Sequence, residues 1–152
     1  MDKQIFYFEA LCVLSAIHHA TDVLQIPSSA KVLIYTNNNN TVSIFNTLRC
    51  LPHYNPILIK ATDVSITSGI HLRVLHIPGE LNYIADAISC KKFLLAHQYV
   101  PDIVISSFIP TRLPLGHPKN DLFFCVLQAT SLAALDTQAP FLGASYCSGT
   151  GH

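Results

Sequence analysis

From Ile5 to Ala20 the chain is rich in Leu, Ala and Phe, holds no Gly or Pro, and sets apolar residues on most faces of a helix. A helix that is apolar nearly all round is a buried one. Pro27 and the serines after it predict a loop. Val32 to Tyr35 is a short apolar run between turn formers, the pattern of a buried strand. The asparagines Asn37 to Asn40 follow it directly. Thr41 to Arg49 then reads as a second helix, with Val42, Ile44, Phe45 and Leu48 as its apolar positions.

Pro52 and Pro56 frame the next loop. A third helix can begin at Pro56, because proline is well tolerated in a first turn. It carries Ile57, Leu58, Ala61 and Val64 and stops near Gly69. His71 to Ile77 alternates in part and predicts a second strand, and Pro78-Gly79-Glu80 is a turn. Asn82 is placed to cap a fourth helix that reaches about Ala96.

The predicted order is helix, strand, helices, strand, helix. A strand, a crossover through helices and a second strand imply a parallel pair and an α/β fold. Two strands are few for a parallel sheet, which is normally larger and covered on both faces. Part of the sheet is therefore expected to be missing. Residues 1–97 read as one structural unit. Residues 98–152 are punctuated by Pro101, Pro110, Pro114 and Pro118 and end in a small, polar run. They predict a loosely ordered tail with one helix near Leu122 to Leu135.

Composition narrows the function classes. Of 152 residues, 50% are hydrophobic and 12% charged, with nine basic and nine acidic side chains. The charged share is about half the ~25% usual for globular proteins. That excludes a charge-driven disordered chain and a strongly basic nucleic-acid binder. No run reaches the ~18–20 apolar residues needed to span a bilayer, and Asp2 and Glu9 make a poor secretory leader. A soluble, intracellular protein is expected. Cys12, Cys50, Cys90, Cys125 and Cys147 are widely spaced with no C-x-x-C pair. They predict buried or free thiols rather than a zinc site.

Three polar positions could carry chemistry. Glu9 shares its helical face with Ile5, Cys12, Val13 and Ala16. A carboxylate there is costly unless it is paired, binds a cation or reaches water at the helix edge. Asn37 lies just past the first strand, at the carboxyl end where parallel sheets build sites, although an asparagine there also suits a helix cap. Asp86 falls in the first turn of the fourth helix, where the helix dipole alone favours an acid.

Three segments give these residues a common context: Tyr7-Phe8-Glu9-Ala10-Leu11, Ile34-Tyr35-Thr36-Asn37-Asn38, and Val74-Leu75-His76-Ile77-Pro78-Gly79-Glu80-Leu81-Asn82-Tyr83-Ile84-Ala85-Asp86-Ala87-Ile88-Ser89. Together they resemble the ribonuclease H-like domain of gypsy-like retrotransposon reverse transcriptases. In that family a helix carries a glutamate in an E-A-L context, a strand ends in Y-T-D-N, and P-G-x-x-N precedes A-D-A-L-S-R. The resemblance spans about Ile5 to Leu95, and its P-G-x-x-N-x-x-A-D-A-x-S element is the most specific part. It implies that residues 1–97 are the C-terminal part of such a domain, an incomplete ribonuclease H-like fold. The family's first three strands, an antiparallel meander ahead of the glutamate helix, are missing.

The resemblance also implies a reaction. The family cuts the RNA strand of an RNA–DNA hybrid, with four carboxylates holding two Mg²⁺ ions about 3.5–4 Å apart. Hard divalent ions require oxygen ligands. Glu9 would be the helix carboxylate and Asp86 the last one, both as metal ligands. Asn37 stands at the degenerate position where the family has its central aspartate, and the first aspartate would lie on an absent strand. Two of four carboxylates are thus lost, and Ser89-Cys90 replaces the family's S-R. Weak or lost Mg²⁺ binding, weak hybrid binding and negligible cleavage are expected. Two alternatives stand beside this reading. One is an active hybrid endonuclease completed by a protein partner that supplies strands. The other is a non-catalytic interaction module that uses an open sheet edge.

Overall fold

The computed structural model describes residues 3–103, 105, 126–128 and 141–143. Helix α1 covers Lys3–His18 and continues into a π-helical turn at His19–Val23. Every residue from Phe8 to Ile17 is buried, as its unbroken apolar surface requires. Around it run strand β1 (Lys31–Thr36), helix α2 (Asn39–Thr47), helix α3 (Asn55–Ser68) and strand β2 (His71–His76). Helix α1 packs against β1, α2 and α3 and so forms the spine of the main core. Leu11, Leu14, Ile17, Ile34, Ile57 and Val74 are its best-buried large side chains. After β2 come α4 (Tyr83–Ser89) and α5 (Phe93–Tyr99), which share a second, smaller cluster of Ala85, Ala87, Ile88, Ala96 and Ile103.

The chain is α/β. Strands β1 and β2 run parallel and pair along their whole length, from Lys31 with His71 to Thr36 with His76. Two short strands extend the sheet beyond β1: β3 (Val126–Gln128) and β4 (Phe141–Gly143), in the order β2-β1-β4-β3. Strand β4 is parallel to β1, opposite Leu33 to Tyr35, and β3 is antiparallel to β4. The side of β1 away from β2 is therefore partly covered by this chain's own later residues. Most of the helix expected near Leu122 to Leu135 lies outside the described residues, and Val126–Gln128 within it is strand.

Helix boundaries follow local chemistry. Helix α3 ends in a Schellman motif: Ile70 N–H donates to Ser65 O at 3.0 Å and Gly69 N–H to Ile66 O at 3.1 Å. The fourth helix does not run on to Ala96 but breaks after Ser89. Lys92 N–H donates to Ala87 O at 2.7 Å and Lys91 N–H to Ile88 O at 2.9 Å. This is the same motif with Lys91, at φ 58°, in the left-handed position. Nothing in residue type announces the break, since neither Gly nor Pro is there. Cys12 and Cys50 are free thiols. Cys90 is in a disulfide, which departs from the reading of all five cysteines as reduced.

Candidate functional site

The parallel strands end side by side, and Ile77 N–H donates to Thr36 O at 2.9 Å where they leave the sheet. Beyond this end, β1 leads into α2 and β2 leads through a 3-10 turn at Gly79–Leu81 into α4. Among the described residues, five of the six buried polar or charged side chains belong to these segments or face them: Glu9, Thr36, Asn38, Thr41 and Asn82. Buried polar groups are costly unless satisfied, so their gathering at one end of the sheet marks it as the place where chemistry is concentrated.

Glu9 is buried, with 7% of its surface exposed, which disposes of the alternative that it reaches water at a helix edge. Its Oε2 accepts a hydrogen bond from the Thr36 hydroxyl at 3.0 Å. The same hydroxyl oxygen accepts from the Asn38 backbone N–H at 3.2 Å. The Thr36 hydroxyl thus donates to Glu9 and accepts from Asn38 at the same time. Burial pushes the Glu9 carboxyl above its ordinary pKa; the Thr36 bond pulls it back down, and the negative charge of Asp86 raises it again.

The asparagines divide their work. Asn38, not Asn37, caps α2: its Oδ1 accepts from Asn40 N–H at 2.9 Å and Thr41 N–H at 3.3 Å. Asn37 is half-buried and turns toward the other strand's exit. Its Nδ2 would stand 3.8 Å from a methyl group added at Gly79, ordinary van der Waals contact. Asn82 stands at the start of α4, and its carbonyl accepts from Asp86 N–H at 3.0 Å. Its side chain makes no cap, contrary to expectation. The amide is turned inward, 3% exposed, and its Nδ2 has no partner. Thr41 Oγ1 is likewise buried without a partner.

The charge of Asp86 is felt at Glu9, and Asn37 lies one residue past Thr36, the strand-end residue that bonds Glu9. Thr36 was missed in the sequence, although the strand's alternation points it the same way as Val32 and Ile34, toward α1. The donors here are two carboxylates and an amide oxygen, all hard oxygen ligands. One of the carboxylate oxygens is already engaged by Thr36. Among the described residues no group of three or more His, Cys, Asp or Glu side chains could hold a metal ion. This set does not fit a two-cation centre, because two charges of +2 would face only two carboxylates. No family model matches the chain, and no curated protein or solved structure matches it either.

Proposed function

We propose that this chain is a ribonuclease H-like domain of retrotransposon reverse transcriptase origin whose cation centre has degenerated and which does not cleave. The observation that carries this reading is that Glu9 is bonded to Thr36 at the end of the parallel strand pair, one residue before Asn37, and feels the charge of Asp86. These residues come from three segments far apart in sequence, the same three that resemble the family. A helical glutamate, a strand-end residue and an acid in the first turn of a later helix are three of the four positions at which the family, by the resemblance, carries its carboxylates.

The substitution at Asn37 decides the outcome. An amide oxygen can touch a cation but cannot balance its charge. Burial, and to a lesser degree the charge of Asp86, raises the Glu9 carboxyl toward its neutral form. That makes the pair a poor anchor for Mg²⁺. Binding to an RNA–DNA hybrid is weak on the same reading. Net charge is zero, and backbone affinity grows with the number of phosphates neutralised.

Cleavage of a labelled RNA–DNA hybrid in Mg²⁺ and in Mn²⁺ tests the reading. The wild-type chain should show no turnover above buffer, and its hybrid affinity should stay weak and vary little with salt. Asn37→Asp should tighten Mn²⁺ binding measurably. Metal-dependent cutting by the wild-type chain would refute loss of activity. Unchanged Mn²⁺ affinity in Asn37→Asp would refute the assignment of that position.

A further inference from the structure

A cleft of about 520 Å³ opens where α2 and α3 meet the start of β2. Phe45, Leu58, Ala61 and Ile70, all buried, make its floor, and the exposed Leu48 and Ile66 stand at its rim. Its volume falls within the ~300–1,000 Å³ of small-molecule sites. The backbone beside it carries the stronger signal. In a parallel strand the N–H and carbonyl of successive residues face opposite neighbours. His71 N–H donates to Ala30 O at 2.9 Å on the β1 side, so Leu72 turns its N–H and carbonyl the other way. Val74 turns outward too and is met by Asn46. The Asn46 Nδ2 donates to the Val74 carbonyl at 2.7 Å, and its Oδ1 accepts from the Val74 N–H at 3.3 Å. Helix α2 ends one residue later, at Thr47. No described residue does for Leu72 what Asn46 does for Val74. Since Leu72 lines the cleft, one bare backbone donor and one bare acceptor stand at its wall.

Charge narrows the ligand further. Arg73 is exposed at the same cleft, and its guanidinium has no ion-pair partner among the described residues. Among the described residues no Asp or Glu side chain lines the cleft. An apolar floor takes an apolar body, a bare N–H and carbonyl take one amide group, and a guanidinium takes a carboxylate. One amide is the limit, because the next outward-facing residue, Val74, is already satisfied by Asn46. We propose that this cleft binds a small N-acylated apolar amino acid, with its side chain on Phe45 and Ile70, its amide on the Leu72 backbone and its carboxylate on Arg73. The site lies at the start of β2, the opposite end of the strand pair from Thr36 and Glu9, and stands apart from any cation chemistry there.

Titration of the full chain with N-acetyl-L-leucine, followed by amide NMR shifts, tests the proposal. Saturable shifts are expected at Leu72 and at the other residues of the cleft. N-acetyl-L-leucinamide, which lacks the carboxylate, should bind about tenfold more weakly, the scale of one charge-assisted hydrogen bond. Arg73→Gln should weaken binding of the acid by about the same factor and leave binding of the amide unchanged. Leu48→Glu, at an exposed position of the rim, sets an acid beside the bound carboxylate; it should weaken the acid as well and serves if the Arg73 variant does not fold. Absence of saturation in the wild-type chain overturns the proposal. So do saturable shifts confined to residues outside the cleft. Equal wild-type affinity for acid and amide, or affinity for the acid that survives both substitutions, also overturns it.

Discussion

The hydroxyl of Thr36 reaches across 3.0 Å to Oε2 of Glu9, joining the end of β1 to the one charged side chain buried among the described residues. The bond satisfies a carboxylate that would otherwise be stranded in the core, and its own oxygen is held by the Asn38 N–H. The chain Asn38–Thr36–Glu9 therefore couples the start of α2, the tip of the sheet and the central helix.

Removing the middle member should be costly. Thr36→Val keeps the shape but leaves Glu9 and the Asn38 N–H without that partner. A loss of about 1–3 kcal/mol is expected in denaturant unfolding, the usual penalty for an orphaned buried group. The Glu9 carboxyl should also titrate higher, since the one influence that lowers it is gone. Carbon-detected NMR titration of the glutamate side chain would show the direction.

Glu9 makes stability depend on pH with a definite sign. Its carboxyl is raised in the folded chain. Between the ordinary glutamate value and that raised value the native state holds a proton that the unfolded state has released. The contribution is complete below the ordinary value and is lost as pH rises through the raised one. Melting temperature should fall across that window on going toward neutral pH. Glu9→Gln should flatten this part of the profile; a profile identical to wild type would show that Glu9 is not its source.

The cap of α2 rests on one side chain. Asn38→Ala deletes the acceptor for Asn40 and Thr41 N–H. A loss of about 1 kcal/mol is expected by chemical denaturation, and Asn38→Asp should recover most of it. Asn37→Ala should cost far less stability, because Asn37 does not cap.

Two left-handed positions predict opposite changes. Gly69 has φ 66°, and a methyl group there would collide with the Ser28 side chain. Gly69→Ala should lose at least the ~1–2 kcal/mol of a left-handed alanine. Leu48 holds the left-handed position after α2 at φ 55° with its side chain exposed. Leu48→Gly should relieve that strain and leave a net gain of about 0.5–1 kcal/mol after the extra chain entropy of glycine. Parallel melts of the two variants check both signs.

Much of the local structure was legible from residue order. The apolar run around Leu11 marked a buried helix, and Pro56 and Gly69 bracketed α3 with Ile57, Leu58, Ala61 and Val64 as its buried face. Both strands were visible as short apolar runs between turn residues, and a helical crossover between them implied a parallel pair. These features depend on side-chain periodicity, on proline's fixed φ and on glycine's tolerance of positive φ, all of which act within a few residues of the chain. The break after Ser89 was not visible. It places Lys91 in a conformation that lysine does not favour, closed by the bonds from Lys91 and Lys92 N–H to the Ile88 and Ala87 carbonyls.

What only the tertiary structure decided is which distant groups meet. Glu9 could have pointed to water; the packing of α1 against β1 put it under Thr36. Asn37 and Asn38 are indistinguishable as letters, yet the turn out of β1 makes one a cap and sends the other toward Gly79. Asn46 finds its partners, the N–H and carbonyl of Val74, only because β2 lies beside α2. Hydrogen bonds and repulsion between charges fall away within a few ångströms, so their partners are chosen by how elements pack, which the order of residues does not display.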